Sequence, residues 1–455
     1  MFQTLKNAWK IPELKNKILF TLMIIILYRL GSNLPMPWVN PAMFESYFNA
    51  SGNALTWLNM LSGGALAQAT LFALSVSPYI TASIVIQLLT IAIPKFEEWA
   101  KEGEAGKKKL SAITRVLTVV LALVTAIGYT MLMNAQGMLS FNATNSGWAT
   151  WEKWVAYIVL VLAYCAGASV IMWLAEKINE KGIGNGISII LFANIIARLP
   201  AMAGSIWSRC FTRWSIFVEK KIENWKAIQI PAGILCMILF LAILLAAVIA
   251  VIWFSNSERR IPVQYAKRVV GRKMYGGQST TLPIKLDMAG VMPVIFASSI
   301  VSILPTVAGF FPNSDFGKFV NNYLGHTSFP YIVFQLILIV AFAYFYIMIS
   351  FNPVEVSNNL RNNGGAIPGI RPGKPTKDFV KKTLDRITFI GAIFLCVISA
   401  LPLIVNAICV AFGNYQFMSL AMSGTSVLIV VGVILETERE LESQLTLRNY
   451  KGFLD

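Results

Sequence analysis

Charged side chains are scarce in this chain. Asp, Glu, Lys and Arg make up 13% of its 455 residues, about half the share usual in soluble domains. With 56% apolar residues and a mean hydropathy of +0.63, that deficit excludes an ordinary water-soluble globule and indicates an integral membrane protein. There is one histidine, His326, in a polar loop. A lone imidazole in such a place is a solvated side chain far more often than a catalytic one. The five cysteines (Cys165, Cys210, Cys236, Cys396 and Cys409) are scattered, mostly inside apolar runs. They read as small core residues, and neither a disulfide framework nor zinc-ligand spacing follows from them. No glycine-rich phosphate loop is present, so no cofactor, metal or catalytic residue is expected. A cleavable signal peptide is not expected either. The first apolar run starts near Ile18, after a polar amphipathic segment, and no small-residue cleavage pattern follows it.

What the chain has instead is ten apolar runs of spanning length, near 18–34, 71–93, 110–133, 154–174, 187–205, 229–254, 288–311, 331–350, 387–412 and 417–435. An even number puts both termini on one side. Most of the 38 basic residues fall in alternate connections. The N-terminal segment has Lys6, Lys10, Lys15 and Lys17, and the second-to-third loop has Lys95, Lys101 and Lys107 to Lys109. The sixth-to-seventh loop has Arg259, Arg260, Lys267, Arg268, Arg272, Lys273 and Lys285. The eighth-to-ninth has Arg361, Arg371, Lys374, Lys377, Lys381, Lys382 and Arg386. The positive-inside rule assigns these loops and both termini to the cytoplasm. The fifth-to-sixth loop, 206–228, is an exception on the outer side, with Arg209, Arg213, Lys220, Lys221 and Lys226.

The two cytoplasmic loops 255–286 and 351–386 are long for helix connections, and their basic charge exceeds what topology needs. They are expected to dock a large, partly acidic cytoplasmic body such as a ribosome or a motor protein.

Five spans per half is an odd number, so residues 229–455 enter the membrane inverted relative to residues 1–205. The second span of each half is unusual. In "NMLSGGALAQATLFALSVSPYITASIVIQLL", Gly63 and Gly64 can break a helix and Ser77-Pro78 marks a fresh start. A short re-entrant helix is expected over about 58–72, then a true span. Non-helical backbone at membrane depth survives only inside protein or along a watery cavity. The counterpart "LDMAGVMPVIFASSIVSILP" carries Gly290, Pro293, Pro305 and several serines. Both stretches are expected to line a central path. The span interiors hold no Asp, Glu or His midway; Arg29 and Glu176 lie near span ends. That disfavours an ion-coupled carrier. A small-solute transporter would have to use neutral groups such as Gln87, Asn194 and Gln335, and a non-transporting scaffold would need none of this. Ile80 with Ile84, and Ile187 with Leu191, share helix faces, a pattern that by itself is ordinary packing.

Several long strings resemble the SecY family, the channel subunits of bacterial protein-translocating complexes. They are "MLSGGALAQATLFALSVSPYITASIVIQLL", "KEGEAGKKKLSAITR", "EKGIGNGISIILF", "RRIPVQYAKR", "YGGQSTTLPIKLDMAGVMPVIFASSI", "FNPVEVSNNLRNNGGAIPGIRPGKPT" and "GTSVLIVVGV". The likeness covers almost the whole chain. The departures lie in the periplasmic segments, including 206–228 and "FNATNSGWATW".

The resemblance implies an all-α polytopic membrane protein, with ten transmembrane helices in two inverted five-helix halves forming an hourglass pore. It implies a non-enzymatic channel for unfolded secretory polypeptides, in the bacterial cytoplasmic membrane. The loop 206–228 would be the hinge between the halves. Carried over by motif, the pore ring is Ile80, Ile84, Ile187, Leu191, Ile295 and Ile429. The plug is Ser62, Gly63, Gly64, Ala65 and Leu66. The lateral gate takes Thr81, Ser83, Gln87, Gly290, Pro293, Ser298 and Ser299. Docking takes Arg272, Lys273 and Arg371. The implied partners are SecE and SecG subunits, the SecA motor ATPase, the ribosome, polypeptides bearing signal peptides, and the lipid bilayer.

Overall fold

The computed structural model describes residues 2–40, 59, 62–142, 148–208, 225–265, 268–270, 273–275, 279–310, 314–323, 328–411 and 424–451. Each of the ten apolar runs overlaps a helix. These are α2 (Pro12–Gly31), α3 (Ser77–Ala92), α5 (Glu104–Ala135), α6 (Thr150–Lys181), α7 (Gly186–Ser208), α8 (Trp225–Ser255), α9 (Met292–Phe310), α11 (Phe329–Ser350), α13 (Lys374–Ala411) and α14 (Gly424–Lys451). Among the described residues four shorter α-helices join them, α1 (Phe2–Lys10), α4 (Pro94–Lys101), α10 (Asp315–Tyr323) and α12 (Pro353–Asn362), with one 3-10 turn at Ser140–Asn142. Among the described residues, Glu104–Ala135, Thr150–Lys181, Pro330–Asn362 and Lys374–Leu401 are long and apolar enough to cross a membrane alone. The chain turns by 102° between α3 and α4, and that bent pair makes a fifth if it is one span. Proline explains the turn. Pro94 occupies the first helical positions of α4 and holds Ile93 extended at φ −118, ψ 118.

The chain separates into two compact units. One comprises Met1–Ser205, Ser298–Phe334 and Val433–Asp455, the other Ile206–Ala297 and Gln335–Gly432.

In the first unit the two ends of the chain meet. Ala8, Leu14, Ile183 and Leu441 form a small buried cluster. Around it Lys17 donates to Gln444 at 3.1 Å, and Glu440 accepts the Gly184 backbone N–H at 2.7 Å. The start of the chain is thus bonded to the helix that ends it.

The second unit holds the two long loops, and they are not loose. β1 (Glu258–Tyr265) pairs antiparallel with β4 (Ser279–Lys285), from Glu258 opposite Lys285 to Gln264 opposite Ser279. On its other edge β1 pairs with β5 (Gly365–Ala366) of the second loop, through Gln264 and Tyr265. Between the long strands, β2 (Arg268–Val270) and β3 (Lys273–Tyr275) make a two-stranded ladder. Ile261 and Val263 point inward in alternation. Ile261 and Ile284 bury with Ile367, Val380, Leu384 and Ile387 at the start of α13. The all-α expectation therefore describes the mostly helical chain but misses this sheet.

Candidate functional site

The most unusual backbone in the first unit lies between Ser62 and Val76. Asn59, within the expected re-entrant helix, is helical, but the described residues that follow from Ser62 are not. They form a succession of tight turns that ends where Ser77-Pro78 starts α3. Gly63 and Gly64 adopt φ +68 and +93, and Ala69 and Ser75 are also left-handed at +47 and +52. A non-glycine residue in that region costs about 1–2 kcal/mol, so surrounding bonds must hold the conformation.

Those bonds are visible. The Asn59 carbonyl accepts from Gly64 N–H at 3.0 Å, from Ser62 Oγ at 3.1 Å and from Arg198 Nη1 of α7 at 3.2 Å. The Asn59 side chain accepts Ala67 N–H at 3.0 Å. Tyr129 of α5 donates its hydroxyl to the Leu66 carbonyl at 2.7 Å, and Asn194 of α7 donates to Ser75 Oγ at 3.3 Å. Residues before α3 add backbone pairs: Met36 N–H to Ala69 O, and Leu71 N–H to Leu34 O. Asn59, Ser62, Thr70, Ser75 and Asn194 are all buried, so these bonds replace water that is not there. Leu66, Ala67, Ala69 and Ala73 pack into an apolar cluster with Tyr129, Leu132, Met133, Leu160 and Tyr164. Two glycines set the fit. A methyl on Gly167 of α6 would collide with the Leu71 carbonyl, and one on Gly63 would sit 3.0 Å from Asn194 oxygens.

A cavity of about 190 Å³ opens beside this segment. Leu66 and Ala73 of the turns, Thr81 of α3, Leu121 and Thr125 of α5, and Ser299, Ser302 and Thr306 of α9 line it. Thr81 and Ser299, two expected gate residues, thus share one apolar wall. Inside α9 two hydroxyls bond back to the helix's own backbone near Pro305: Ser302 donates to the Ser299 carbonyl at 2.7 Å and Thr306 to the Ser302 carbonyl at 2.6 Å. Ser298 and Ser299 are buried. Ser83 and Gln87 follow on α3, where Gln87 donates to Ser83 at 3.4 Å. Gly290 (φ +60) and Pro293 lie in the second unit, ahead of and at the start of α9.

Of the expected ring, Ile80, Ile84 and Leu191 are buried in the first unit and Ile187 is half-buried there; Ile295 and Ile429 are buried residues of the second. Among the expected docking residues, Arg272 lies outside the described residues. Lys273 opens β3. Arg371 is exposed, just past β5, with its carbonyl accepting Thr376 Oγ1 at 2.8 Å. No group of three or more His, Cys, Asp or Glu side chains suited to a metal occurs among the described residues.

Composition and periodicity leave Asn59, Tyr129 and Arg198 unmarked. The one sequence signal for Arg198 is its rarity, a cation inside the fifth apolar run. The strands had a signal too, the period-two alternation of "RRIPVQY".

A family model described as SecY matches residues 70–438. The protein translocase subunit SecY of Bacillus subtilis (strain 168) is 40% identical over 457 residues, covering 100% of both chains. A solved protein-conducting channel shares the fold at a TM-score of 0.59, with 16% identity over 94% of this chain and 92% of its own. Sec61 in the canine ribosome–channel complex from the endoplasmic reticulum gives 0.56 at 16% identity, over 94% and 92%.

Proposed function

The chain belongs to the SecY family, and from that membership we propose that it is the protein-conducting subunit of a bacterial translocase. It moves unfolded secretory polypeptides across the cytoplasmic membrane and releases hydrophobic segments sideways into lipid. The observation that carries this reading is the turn segment 62–76: irregular, bonded backbone buried among apolar helices beside a cavity walled by α3, α5 and α9. Such backbone is tolerated at membrane depth only where protein or water surrounds it. A plug in a conduit satisfies that condition.

The physical problem is severe. Each unpaired backbone polar group costs several kcal/mol in hydrocarbon, and a charged side chain about 2.5–3.5 kcal/mol at a span centre. A wet conduit removes those costs but leaks ions at rest. A ring of Ile80, Ile84, Ile187, Leu191, Ile295 and Ile429 would dewet and block ions, yet fit closely around a passing chain. The segment around Ser62 to Leu66 is the second obstruction. The gate lies between α3 and α9. Their cavity is apolar, and the Ser302 and Thr306 hydroxyls are bonded within α9, so they need no partner on α3 if the helices part. A passing segment gains about 0.3–0.6 kcal/mol per Leu, Ile, Phe or Val on entering lipid, so apolar runs leave and polar runs stay.

In this reading the ten long helices are ten spans in two inverted halves, 1–205 and 229–455, joined by 206–228 around an hourglass pore. Both termini are cytoplasmic. Directional energy comes from a partner, since this chain has no phosphate-binding loop. The SecA motor and the ribosome would dock on the folded loops around Arg272, Lys273 and Arg371. Within the first unit, Leu22 and Ile25 of α2, Phe192 of α7 and Ile434 of α14 line a groove of about 250 Å³. Its apolar walls suit a hydrophobic helix, and SecE is the partner that the family supplies; SecG would be the other small subunit.

Ile84→Gly combined with Ile187→Gly should raise ion leak through reconstituted complexes. A sealed double variant that translocates normally would sink the ring. A stalled client should cross-link to cysteines placed at Ile84 and at Ile295. Cross-links confined to the protein's exterior would overturn the conduit itself.

A further inference from the structure

The connection between α9 and α11 contains the short helix α10, which neither the channel reading nor the family motifs employ. Ser314 starts it: its side chain accepts the Gly317 N–H at 3.0 Å and its carbonyl accepts the Lys318 N–H at 3.0 Å. Nine residues are too few to be a stable helix in water without packing. Part of that packing is protein, since Gly317 and Val320 are buried, Val320 to 1% exposure.

The rest of the surface divides into two sectors. Phe316, Phe319 and Tyr323 follow one another at spacings of three and four, so they share a face. Their exposures are 44%, 56% and 56%, and the Phe319 and Tyr323 rings lie 5.0 Å apart. Asp315 and Lys318 are exposed on a separate, polar sector. Around the helix, one flank meets protein, the next is bare aromatic, and the third is charged. A helix wholly in water has no use for the second sector, and one sunk in a protein core has none for the third.

The tethers choose the occupant. Four residues, 311–314, separate Phe310 from α10, and at about 3.5 Å each they reach no more than about 14 Å. Five residues, 324–328, separate Tyr323 from α11. Both neighbours are apolar helices. α9 exposes Ile303, Leu304 and Val307 in its last turns, and α11 exposes Val333, Phe334 and Ile337 in its first. α10 is therefore held beside the ends of two apolar helices whose exposed residues are largely aliphatic and aromatic. Phenylalanine and tyrosine above an apolar band, with lysine toward water, is the distribution that membrane interfaces favour.

We propose that α10 is an interfacial anchor: Phe316, Phe319 and Tyr323 lie among the phospholipid headgroups and upper acyl chains at the end of α9. The occupant is the lipid leaflet. The anchor would hold that end of α9 at fixed depth while the rest of the helix stays free to shift sideways. It needs only that α9 and α11 cross the membrane, so it can fail while the channel reading stands.

The test is photochemical, in the full complex reconstituted into phosphatidylethanolamine and phosphatidylglycerol vesicles carrying a traceable phospholipid. Benzoylphenylalanine replaces Phe319 in one variant, Asp315 in a second and Ile303 in a third. Irradiation should give lipid adducts at 319 and 303 and several-fold fewer at 315. Adducts at 319 to a protein chain, whether a small subunit or a second copy, overturn the proposal. So does lipid labelling at 303 with none at 319. Translocation by the 319 variant is measured alongside: an active complex lacking the adduct rejects the anchor alone. As a second measurement, a cysteine at 319 carrying an environment-sensitive fluorophore should emit at shorter wavelength than one at 315 and resist aqueous quencher. Equal quenching at the two sites also overturns the anchor.

Discussion

Two of the non-helical regions among the described residues, the turn segment and the strand-bearing loops, are held in different ways. The turn segment 62–76 is fixed by individual bonds that reach it from elsewhere: the Asn59 side chain holds the Ala67 N–H, Tyr129 the Leu66 carbonyl and Asn194 the Ser75 hydroxyl, Arg198 holds the Asn59 carbonyl in turn, and two backbone pairs tie the segment to Leu34 and Met36. The loops of the second unit are fixed by a backbone ladder over an apolar core, with β1 shared between β4 and β5. A ladder is cooperative and indifferent to most single side chains. Separate side-chain latches can be lost one at a time. The first arrangement suits a part that must move, the second a platform that must not.

The largest expected effect tests the platform. Ile261→Ala removes a core side chain beneath β1 and should cost about 2–5 kcal/mol, exposing 255–285 and 351–386 together to protease. If only one loop loosens, the two are not one body and the contrast fails. Next comes the segment. Asn59→Ala leaves the buried Ala67 N–H without its acceptor, at about 1–3 kcal/mol. Amide exchange at Ala67 should rise severalfold and resting ion leak with it, while the sheet amides keep their protection. Unchanged exchange at Ala67 would mean that no latch exists. Tyr129→Phe removes one bond to the Leu66 carbonyl and keeps the ring, so about 1 kcal/mol is expected. Its leak should fall between wild type and Asn59→Ala; a leak larger than that of Asn59→Ala would reverse the assignment of the main latch. Arg371→Glu should leave thermal unfolding and amide exchange unchanged while crippling motor-driven secretion, because Arg371 is exposed and its side chain carries none of the platform's bonds described above. Normal secretion by that variant would remove Arg371 from the docking surface.

How legible each region was follows from what holds it. Apolar runs read directly as helices because burial against lipid needs only composition and length, and Ser77-Pro78 marked the start of α3 to the residue. Gly63 and Gly64 locate the turn segment, but the helix expected there does not continue through the described residues 62–72. The segment's shape is set by Asn59, Tyr129 and Arg198, the last two distant in sequence, and no local propensity encodes a bond from Tyr129 to Leu66. The sheet was missed for a related reason. Polar and charged residues, with a proline in each, make "ERRIPVQY" and "STTLPIK" read as solvated loop, while the alternation of Ile261 and Val263 spans too few residues to outweigh them. The expected gate residues Thr81 and Ser299 follow from motif likeness, and only the folded structure brings them to one wall.

The knot of Ala8, Leu14, Ile183 and Leu441, with Lys17 on Gln444 and Glu440 on Gly184, has a consequence for how the molecule is made. α2 can pack on α6 and Phe72 early, but the surface of α1 and α2 that faces α14 stays bare until α14 is made. Throughout synthesis the amino-terminal segment waits half-clad, and completion of the carboxy-terminal helix is the event that closes the fold on itself. A chain stopped short of Glu440 would have every earlier helix and still lack the clasp.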